Sequence, residues 1–356
     1  MLEPRFDIVA AASDEHQRHS EGSILVLPDG RWLLGWSEYY DGFHDASSAR
    51  LKGMWSSDRG DTWSDPFLLL ENDGKCNVMN VCFALQRDGS IAMSHVRTDD
   101  ETCYYSYTFF RKSVDGGLTW SPHEPMVDME TWRGFPANDR FLTLSSGRLL
   151  VPMTLNRMSD GDSAESFVLA GYTDDLGETW QLSRGMTTVG QAGSDTGGAS
   201  EPAVFEKKDG TVVFLIRTKL GTIWAAESMD GGETLSGSYD TGLQSPAAPC
   251  IVGRIPSTGD LLLVWNGVEP EKPGSGGPRT PLTTAISRDD GATWGNFKDL
   301  EPVSGRSHMY PTLTFDGDTA LITYSQGEID SVKNWTTNWH NTSLKLARVP
   351  VQWFYD

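Results

Sequence analysis

Short runs of apolar residues, many of them alternating with polar ones, recur along the chain and are separated by Asp-Gly, Gly-Gly and Ser-Gly pairs. Alternation with a period of two is typical of β-strands, and the glycine pairs are typical of tight turns. No long stretch has the 3.6-residue period of an amphipathic helix. The pattern therefore predicts an all-β protein.

Six segments repeat one layout, in which a strand, a glycine-containing turn and a second strand follow one another. This layout predicts six β-hairpins spread evenly over the chain. The segments are EGSILVLPDGRWLLGW, NVCFALQRDGSIAMSHV, NDRFLTLSSGRLLVPM, EPAVFEKKDGTVVFLIR, CIVGRIPSTGDLLLVW and HMYPTLTFDGDTALITY.

An eight-residue motif, Ser/Thr-x-Asp-x-Gly-x-Thr-Trp, follows each of the first five hairpins. The copies begin 57, 60, 55 and 59 residues apart, which is the signature of a repeated supersecondary unit. We expect the Asp and Ser/Thr to bond the turn backbone, the Gly to take a positive φ and the Trp to pack beneath a hairpin. Calcium binding is the alternative, but the motif lacks the dense oxygen spacing of a calcium loop. The copies are Ser56–Trp63, Ser113–Trp120, Thr173–Trp180, Ser228–Leu235 and Ser287–Trp294.

A ring of such units explains how 356 residues without a break in composition can form one domain, residues 1–356. Each hairpin and the strand pair around the next motif would form a four-stranded blade. The prediction is a six-bladed β-propeller whose motif turns lie at the rim. The C-terminal segment, residues 344–356, is expected to pair with N-terminal strand residues and complete the ring.

The formal charge of −20 argues against nucleic acid or an anionic membrane surface as a partner. No apolar run approaches the ~20 residues of a transmembrane helix, and the first residues lack the features of a signal peptide, so a cytoplasmic location is expected. The four cysteines have no metal-ligand or redox spacing and are expected to be reduced thiols, and neither a metal nor a cofactor is predicted. They are Cys76, Cys82, Cys103 and Cys250.

Polar residues recur where the inner strand of each hairpin begins. Because inner strands converge on the axis of a propeller, a ring of polar groups at one mouth would suit a sugar. The alternative is that these residues cap strand ends in solvent, and for Asn80 and Asn138 the two interpretations stay open. Counting back nine residues from each turn glycine gives Glu21, Asn80, Asn138, Glu201, Cys250 and His308, with Tyr310 two residues beyond the last.

The eight-residue motif resembles the Asp box of sialidases (neuraminidases), which are six-bladed propellers, although the box also occurs in other propellers. The resemblance implies a glycan or acidic monosaccharide glycoside as partner and extends to individual residues. Glu201 and Arg217, at the two ends of one hairpin, resemble the glutamate that partners the nucleophilic tyrosine and an arginine that grips the substrate carboxylate. Arg279, eight residues before a motif, resembles a second arginine, and Tyr310 resembles the catalytic tyrosine.

Chemistry explains these residue types. A carboxylate nucleophile would be repelled by the carboxylate on the reacting carbon, so a tyrosine activated by a glutamate replaces it. Arginines bind carboxylates as bidentate forks. The resemblance places the acid on the loop after the first hairpin, where Asp41 and Asp45 are candidates and Asp45 is preferred.

The chain departs from the sialidase pattern at the first inner strand. Ser20 or Glu21 occupies the position of the first carboxylate-binding arginine, and Arg18 or Arg140 would have to compensate. The primary hypothesis is a retaining exo-glycosidase that releases a terminal sialic acid or related acidic sugar. The alternatives are a hydrolase or lyase acting on a uronic or neutral sugar, and a glycan-binding propeller without catalysis.

Overall fold

The computed structural model describes residues 3–99, 101, 106–127, 134–158, 164–189, 198–268, 279–302, 304–331 and 336–356. In these ranges one short 3₁₀ helix, Val351–Phe354, accompanies 26 strands, so the all-β prediction is confirmed. The strands are β1 (Arg5–Ala10), β2 (Arg18–Val26), β3 (Trp32–Asp41), β4 (Ser48–Ser56), β5 (Phe67–Leu70), β6 (Asn77–Leu85), β7 (Ile91–Thr98), β8 (Ser106–Ser113), β9 (Glu124–Pro125), β10 (Gly134–Phe135), β11 (Leu142–Thr143), β12 (Leu149–Met158), β13 (Ala164–Thr173), β14 (Gln181–Leu182), β15 (Ser200–Glu206), β16 (Val212–Arg217), β17 (Thr222–Ser228), β18 (Tyr239–Gln244), β19 (Ile251–Arg254), β20 (Leu261–Trp265), β21 (Leu282–Ser287), β22 (Gly295–Glu301), β23 (Arg306–Met309), β24 (Thr314–Asp316), β25 (Thr319–Ser331) and β26 (Thr336–Pro350).

Four sheets have the size and connectivity of propeller blades. Three contain four strands each, in the orders β6-β7-β8-β9, β15-β16-β17-β18 and β19-β20-β21-β22. The fourth has the order β10-β12-β13-β14, with β11 also paired to β12. In each of them neighbouring strands of the sheet pair antiparallel, which gives the propeller-like arrangement expected of the repeats.

The first and last hairpins do not form separate blades, and this corrects the prediction of six. They share one nine-stranded sheet, with the main order β23-β25-β26-β2-β3-β4-β5. The cause is β26, whose 15 residues pair antiparallel with β25 and β1, while Thr342 pairs in parallel with Arg18 of β2. The expected pairing of the C-terminal segment is confirmed, since Arg348 lies opposite Arg5.

All six predicted hairpins form, each with its turn glycine at a positive φ between 58° and 88°. Their apolar residues pack between neighbouring sheets. At Gly35, an added Cβ would lie 2.7 Å from the ring of Phe83, so the adjacent sheet approaches too closely for a side chain. This packing brings the starts of the inner strands together.

Side chains of each motif form hydrogen bonds within their own turn, as predicted. In the first copy, Thr62 donates from its backbone N and its Oγ1 to the Asp58 carboxylate, at 2.8 and 2.6 Å. Ser56 Oγ accepts from Gly60 N at 2.8 Å. The same bonds recur around Asp115, Asp175, Asp230 and Asp289.

The last residue of each motif packs against a hydrophobic cluster between sheets. Trp63, Trp120, Trp180, Leu235 and Trp294 are all partly buried in this way.

Within the described ranges no His, Cys, Asp and Glu side chains form a group able to hold a metal ion. The same part of the chain has no helix long and apolar enough to cross a membrane. Of the cysteines, Cys82 and Cys250 are buried free thiols, and Cys103 lies outside the described residues.

Candidate active site

Strained backbone marks the centre of the ring. Glu21, Asn80, Asp139, Glu201 and Tyr310 have φ values of 49°, 58°, 54°, 40° and 52°. A non-glycine residue in this region costs on the order of 1 kcal/mol or more and persists only where the surroundings enforce it. Glu21, Asn80 and Glu201 each lie at a shift in strand register. The bulges set the direction of these side chains.

A cavity of about 110 Å³ lies where these bulges meet. Five of the sequence-predicted site residues line it together, although they are far apart along the chain. Its lining is Glu21, Asp45, Met79, Asn80, Ser106, Phe135, Glu201 and Tyr310. Concave sites with a few convergent polar groups are the usual form of small-ligand sites.

Tyr310, Glu201 and Arg217 form a connected chain at the cavity. Tyr310 OH donates to Glu201 Oε1 at 3.4 Å, and Arg217 Nη1 donates to Glu201 Oε2. The hairpin of β15 and β16 makes this possible, because it places Ser200 directly opposite Arg217. The backbone N of Glu201 donates to Thr154 Oγ1 at 2.7 Å, which fixes the position of the Glu201 backbone. Hydrogen bonding thus links the phenol, the carboxylate and the guanidinium.

Burial and the charge of Glu201 raise the pKa of Tyr310 well above its usual value, although Arg279 and Arg217 oppose the shift. The phenol is therefore neutral at physiological pH and needs a base to become a nucleophile. Arg279 is buried, with its guanidinium carbon 5.5 Å from the centroid of the Tyr310 ring. Its Nη2 also donates to Ala247 O at 3.4 Å.

Arg18 is enclosed by carboxylates. Its Nη2 donates to Glu21 Oε1 at 2.6 Å, and its Nη1 donates to Asp45 Oδ1 at 2.7 Å and to Phe43 O at 3.2 Å. The side chain is 1% exposed and lies over the ring of Tyr39. Arg18 therefore reaches the site region, but both ends of its guanidinium are already bound.

Asp45 is positioned by two contacts. Asn77 Nδ2 donates to Asp45 O at 2.6 Å, and Arg18 holds the carboxylate. Desolvation favours the neutral acid, yet the charge and hydrogen bond of Arg18, together with Arg279 and Arg217, lower the pKa of Asp45 below its usual range. The carboxyl group is therefore ionised near neutral pH. Asp41, the other candidate, is exposed at the end of β3 and is outside the cavity lining.

Three predicted site residues lie behind the cavity and contact other parts of the protein. Asn138 Nδ2 donates to Gly22 O at 2.8 Å. Arg140 is 1% exposed and donates to backbone oxygens of three segments, at Asn138, Pro311 and Cys250. Arg140 thus ties inner strands together and does not replace an arginine of the cavity.

His308 is also buried, with its Nε2 3.2 Å from Gln326 Nε2 and 3.9 Å from Glu301 Oε2. Burial, partly offset by Glu301, lowers the pKa of His308 to about 4, so the imidazole is neutral at physiological pH. Its backbone N donates to Arg279 O at 2.7 Å, which fixes the Tyr310 strand against the Arg279 segment.

The sequence-based prediction missed Met79, Ser106 and Phe135, which complete the lining. Met79 precedes a predicted residue, and that proximity is the signal that could have suggested it. Ser106 begins β8, Phe135 ends the two-residue β10, and neither belongs to a motif. In the third hairpin the strained residue is Asp139, one position after the predicted Asn138.

Residues 53–323 match the model of the family described as BNR repeat-like domain. The chain belongs to this family, within the superfamily of sialidase and BNR-repeat propellers. Among curated proteins, the chain is similar to an anhydrosialidase of Macrobdella decora, at 31% identity over 145 residues. That match spans 37% of this chain and only 16% of the relative.

Solved structures show the same fold at low identity. A Dyadobacter fermentans protein of unknown function has a TM-score of 0.73 and 18% identity, over 98% of this chain and 100% of the other. Trypanosoma rangeli sialidase in complex with 2,3-difluorosialic acid, as a covalent intermediate, has a TM-score of 0.71 and 13% identity. This match covers 97% of this chain and 58% of the sialidase.

Proposed function

We propose that this protein is a retaining exo-glycoside hydrolase of the sialidase type, with Tyr310 as nucleophile. The observation that carries the proposal is the hydrogen-bonded chain of Tyr310, Glu201 and Arg217 on one cavity. The structural similarity to a sialidase captured as a covalent intermediate supports it. The similarity to an anhydrosialidase supports a glycosidase as well.

In the proposed reaction, the Tyr310 oxygen attacks the anomeric carbon while Glu201 takes the phenolic proton. The bond from that carbon to the leaving-group oxygen breaks, and a proton from Asp45 neutralises the oxygen. Water then attacks the same carbon and gives one proton to Asp45, while the bond from that carbon to the Tyr310 oxygen breaks and Glu201 returns its proton to the phenol. The two displacements release the sugar with retained configuration. A neutral phenol suits this role because a substrate carboxylate next to the anomeric carbon repels it less than it would repel a carboxylate.

Arg279 and Arg217 are the proposed anchors for a substrate carboxylate. Arg279 lies against Tyr310, and Arg217 is shared with Glu201. Under this proposal the substrate is the glycoside of a terminal sialic acid or a related acidic sugar. The single-domain organisation over residues 1–356, the absence of a nucleic-acid partner and a cytoplasmic location stay predictions.

The carboxylate contacts of Arg18 favour a second candidate function. Since Glu21 and Asp45 bind both ends of this guanidinium, it offers no free fork to a carboxylate. With two other arginines, the cavity could serve a hydrolase or lyase acting on a uronic or neutral sugar. Elimination would give an unsaturated product that absorbs in the near ultraviolet, whereas hydrolysis would not.

The test is turnover of 4-methylumbelliferyl glycosides of N-acetylneuraminic acid, 2-keto-3-deoxy sugar acids, glucuronic acid and neutral sugars. Hydrolysis of an acidic member, abolished in Glu201→Gln, is expected. No turnover of any member by folded protein contradicts the enzymatic proposal. Binding of a sugar that survives Glu201→Gln without turnover in the parent identifies a glycan-binding propeller instead.

A further inference from the structure

One oxygen of the Glu21 carboxylate is buried without a hydrogen-bond donor among the described residues. The other oxygen, Oε1, accepts from Arg18 Nη2 at 2.6 Å and from Ser20 Oγ at 2.7 Å. Glu21 is 2% exposed, and its Oε2 is fully enclosed. A buried carboxylate oxygen without a donor is costly, because water solvated it in the unfolded chain.

Backbone strain adds a second cost at the same residue. Glu21 has a φ of 49°, next to the register shift between Ser20 and Ser23. The bulge makes Glu21 part of the cavity lining, where a regular strand would alternate its side chains between the two faces of the sheet. Backbone strain and an unsatisfied carboxylate oxygen at one residue are typical of functional positions, where a ligand makes the missing contact.

The charges around Glu21 determine which chemical group of a ligand can contact its carboxylate. Three carboxylates line the cavity, on Glu21, Asp45 and Glu201. Arg18 pairs with the first two and Arg217 pairs with the third, so both of these arginines already have a carboxylate partner. A ligand carboxylate placed against Glu21 would face like charge, whereas a hydroxyl or an ammonium would supply the missing donor.

We propose that Glu21 is a specificity-determining residue, whose Oε2 accepts a hydrogen bond from a hydroxyl or ammonium group of the bound sugar. The inference rests on the proposed function, because it requires a sugar in this cavity. It assigns the substrate class as a sugar that presents a hydrogen-bond donor on the Glu21 side. Any carboxylate of the sugar must then lie on the opposite side, towards Arg279 and Tyr310.

Glu21→Gln is the informative variant. Arg18 can only donate, so it holds the glutamine carbonyl oxygen in the place of Oε1. The amide nitrogen then replaces Oε2 and turns an acceptor into a donor. Ser20→Ala is the matched control, because it removes a donor from Oε1 and leaves Oε2 unchanged.

Affinities are measured by titration calorimetry on the full chain, with Tyr310→Phe as the background so that no probe is consumed. The probes are the methyl glycosides of glucose, galactose, glucosamine, glucuronic acid and N-acetylneuraminic acid, followed by the monodeoxy derivatives of those that bind. We expect Glu21→Gln to weaken binding about 10- to 100-fold, as for a hydrogen bond to a charged group. One deoxy derivative should lose a similar factor in the parent and lose nothing further in Glu21→Gln.

The outcomes separate the two proposals. Binding that is equal in Glu21→Gln and the parent, or a loss that couples neither to a single deoxy position nor to the amino group of glucosamine, overturns the role of Glu21 while the proposed function stands. No binding of any probe to folded protein overturns both. If Glu21→Gln does not fold, Glu21→Asp, which withdraws the carboxylate by one methylene, must show the same coupling. A loss confined to glucosamine identifies the donor as an ammonium, and a loss for neutral sugars identifies it as a hydroxyl.

Discussion

The phenolic oxygen of Tyr310 lies 3.4 Å from Glu201 Oε1, at the long end of a hydrogen bond. The two residues are 109 positions apart and come from different sheets. Glu201 is held by Arg217 and by Thr154, so the carboxylate is fixed in front of the phenol. Such contacts commonly shorten when substrate binds.

Tyr310→Phe removes one oxygen and should leave the fold intact, with a stability change of about 1 kcal/mol. We expect turnover to fall by orders of magnitude because the covalent route is lost, while substrate affinity stays within about tenfold. Steady-state kinetics and calorimetric affinities measure the two effects. Tyr324→Phe is the control: its hydroxyl donates to Glu301 at 2.6 Å, outside the cavity lining, and turnover should persist. Near-normal turnover in Tyr310→Phe contradicts the mechanism.

Asp45→Asn should separate substrates by leaving group. A 4-nitrophenyl glycoside releases a stable anion and needs little protonation, so its kcat/KM should fall less than about tenfold. An alkyl glycoside needs the acid, and its kcat/KM should fall about 10²- to 10⁴-fold. Asp41→Asn, at the exposed end of β3 and outside the cavity lining, should change neither value. Equal losses for both substrates would exclude Asp45 as the acid.

The pH dependence follows from the Arg18–Asp45 ion pair. This pair lowers the pKa of Asp45. A general acid must be protonated, and the protonated fraction of Asp45 is therefore small near neutral pH and increases as pH falls. We expect kcat/KM for alkyl glycosides to rise as pH falls from 7 towards 4. The profile for 4-nitrophenyl glycosides should be flatter. A maximum above pH 7 for the alkyl substrates would contradict this assignment.

His19 should make the protein less stable in mild acid. Burial, only partly offset by Glu38, lowers its pKa to about 4, and its Nδ1 accepts from Trp36 Nε1 at 2.9 Å. The imidazole of the unfolded chain has a pKa of ~6.5. The stability that the neutral His19 contributes to the folded protein is therefore complete above that pH and is lost as pH falls towards 4. Between pH 7 and 4.5 the loss is on the order of 2 kcal/mol.

Urea unfolding of the parent and His19→Gln at both pH values checks this expectation. The stability gap between the two proteins should narrow in acid by that amount. The comparison cancels His308, which has a similar shift and is present in both proteins. A gap that is the same at both pH values would show that His19 is not the responsible group.

Alanine substitutions at two glycines with nearly equal φ distinguish the cost of backbone strain from the cost of a steric clash. Gly177 and Gly210 have φ of 89° and 88°, but a Cβ on Gly177 would lie 2.3 Å from the Phe110 ring, and one on Gly210 would meet nothing within 4 Å. Gly210→Ala should cost about 1 kcal/mol from the backbone alone. Gly177→Ala should cost roughly 3 kcal/mol or more, because the ring must also move. Equal unfolding free energies would show that Phe110 can move aside without cost.

The local chemistry of the chain was sufficient to predict the strands, the hairpins and the motif turns. Alternation of apolar residues, the turn glycines and the Asp–Thr contacts within one motif all act over a few residues, so sequence spacing specifies them. The pairing of Glu201 with Arg217 also follows from a short hairpin. The resemblance points to Tyr310 and Asp45, and both line the cavity, while their catalytic roles stay predictions.

Tertiary structure alone decided the rest. The joining of the first and last hairpins depends on how far β26 extends between β25 and β2, which no local pattern encodes. The positions of Asn138, Arg140 and His308 depend on contacts with distant segments, at Gly22, Cys250 and Gln326 respectively. The closure of Arg18 by Glu21 and Asp45 requires a loop and a bulge to meet in space. Such contacts depend on the packing of distant segments, and the sequence determines them only through the complete fold.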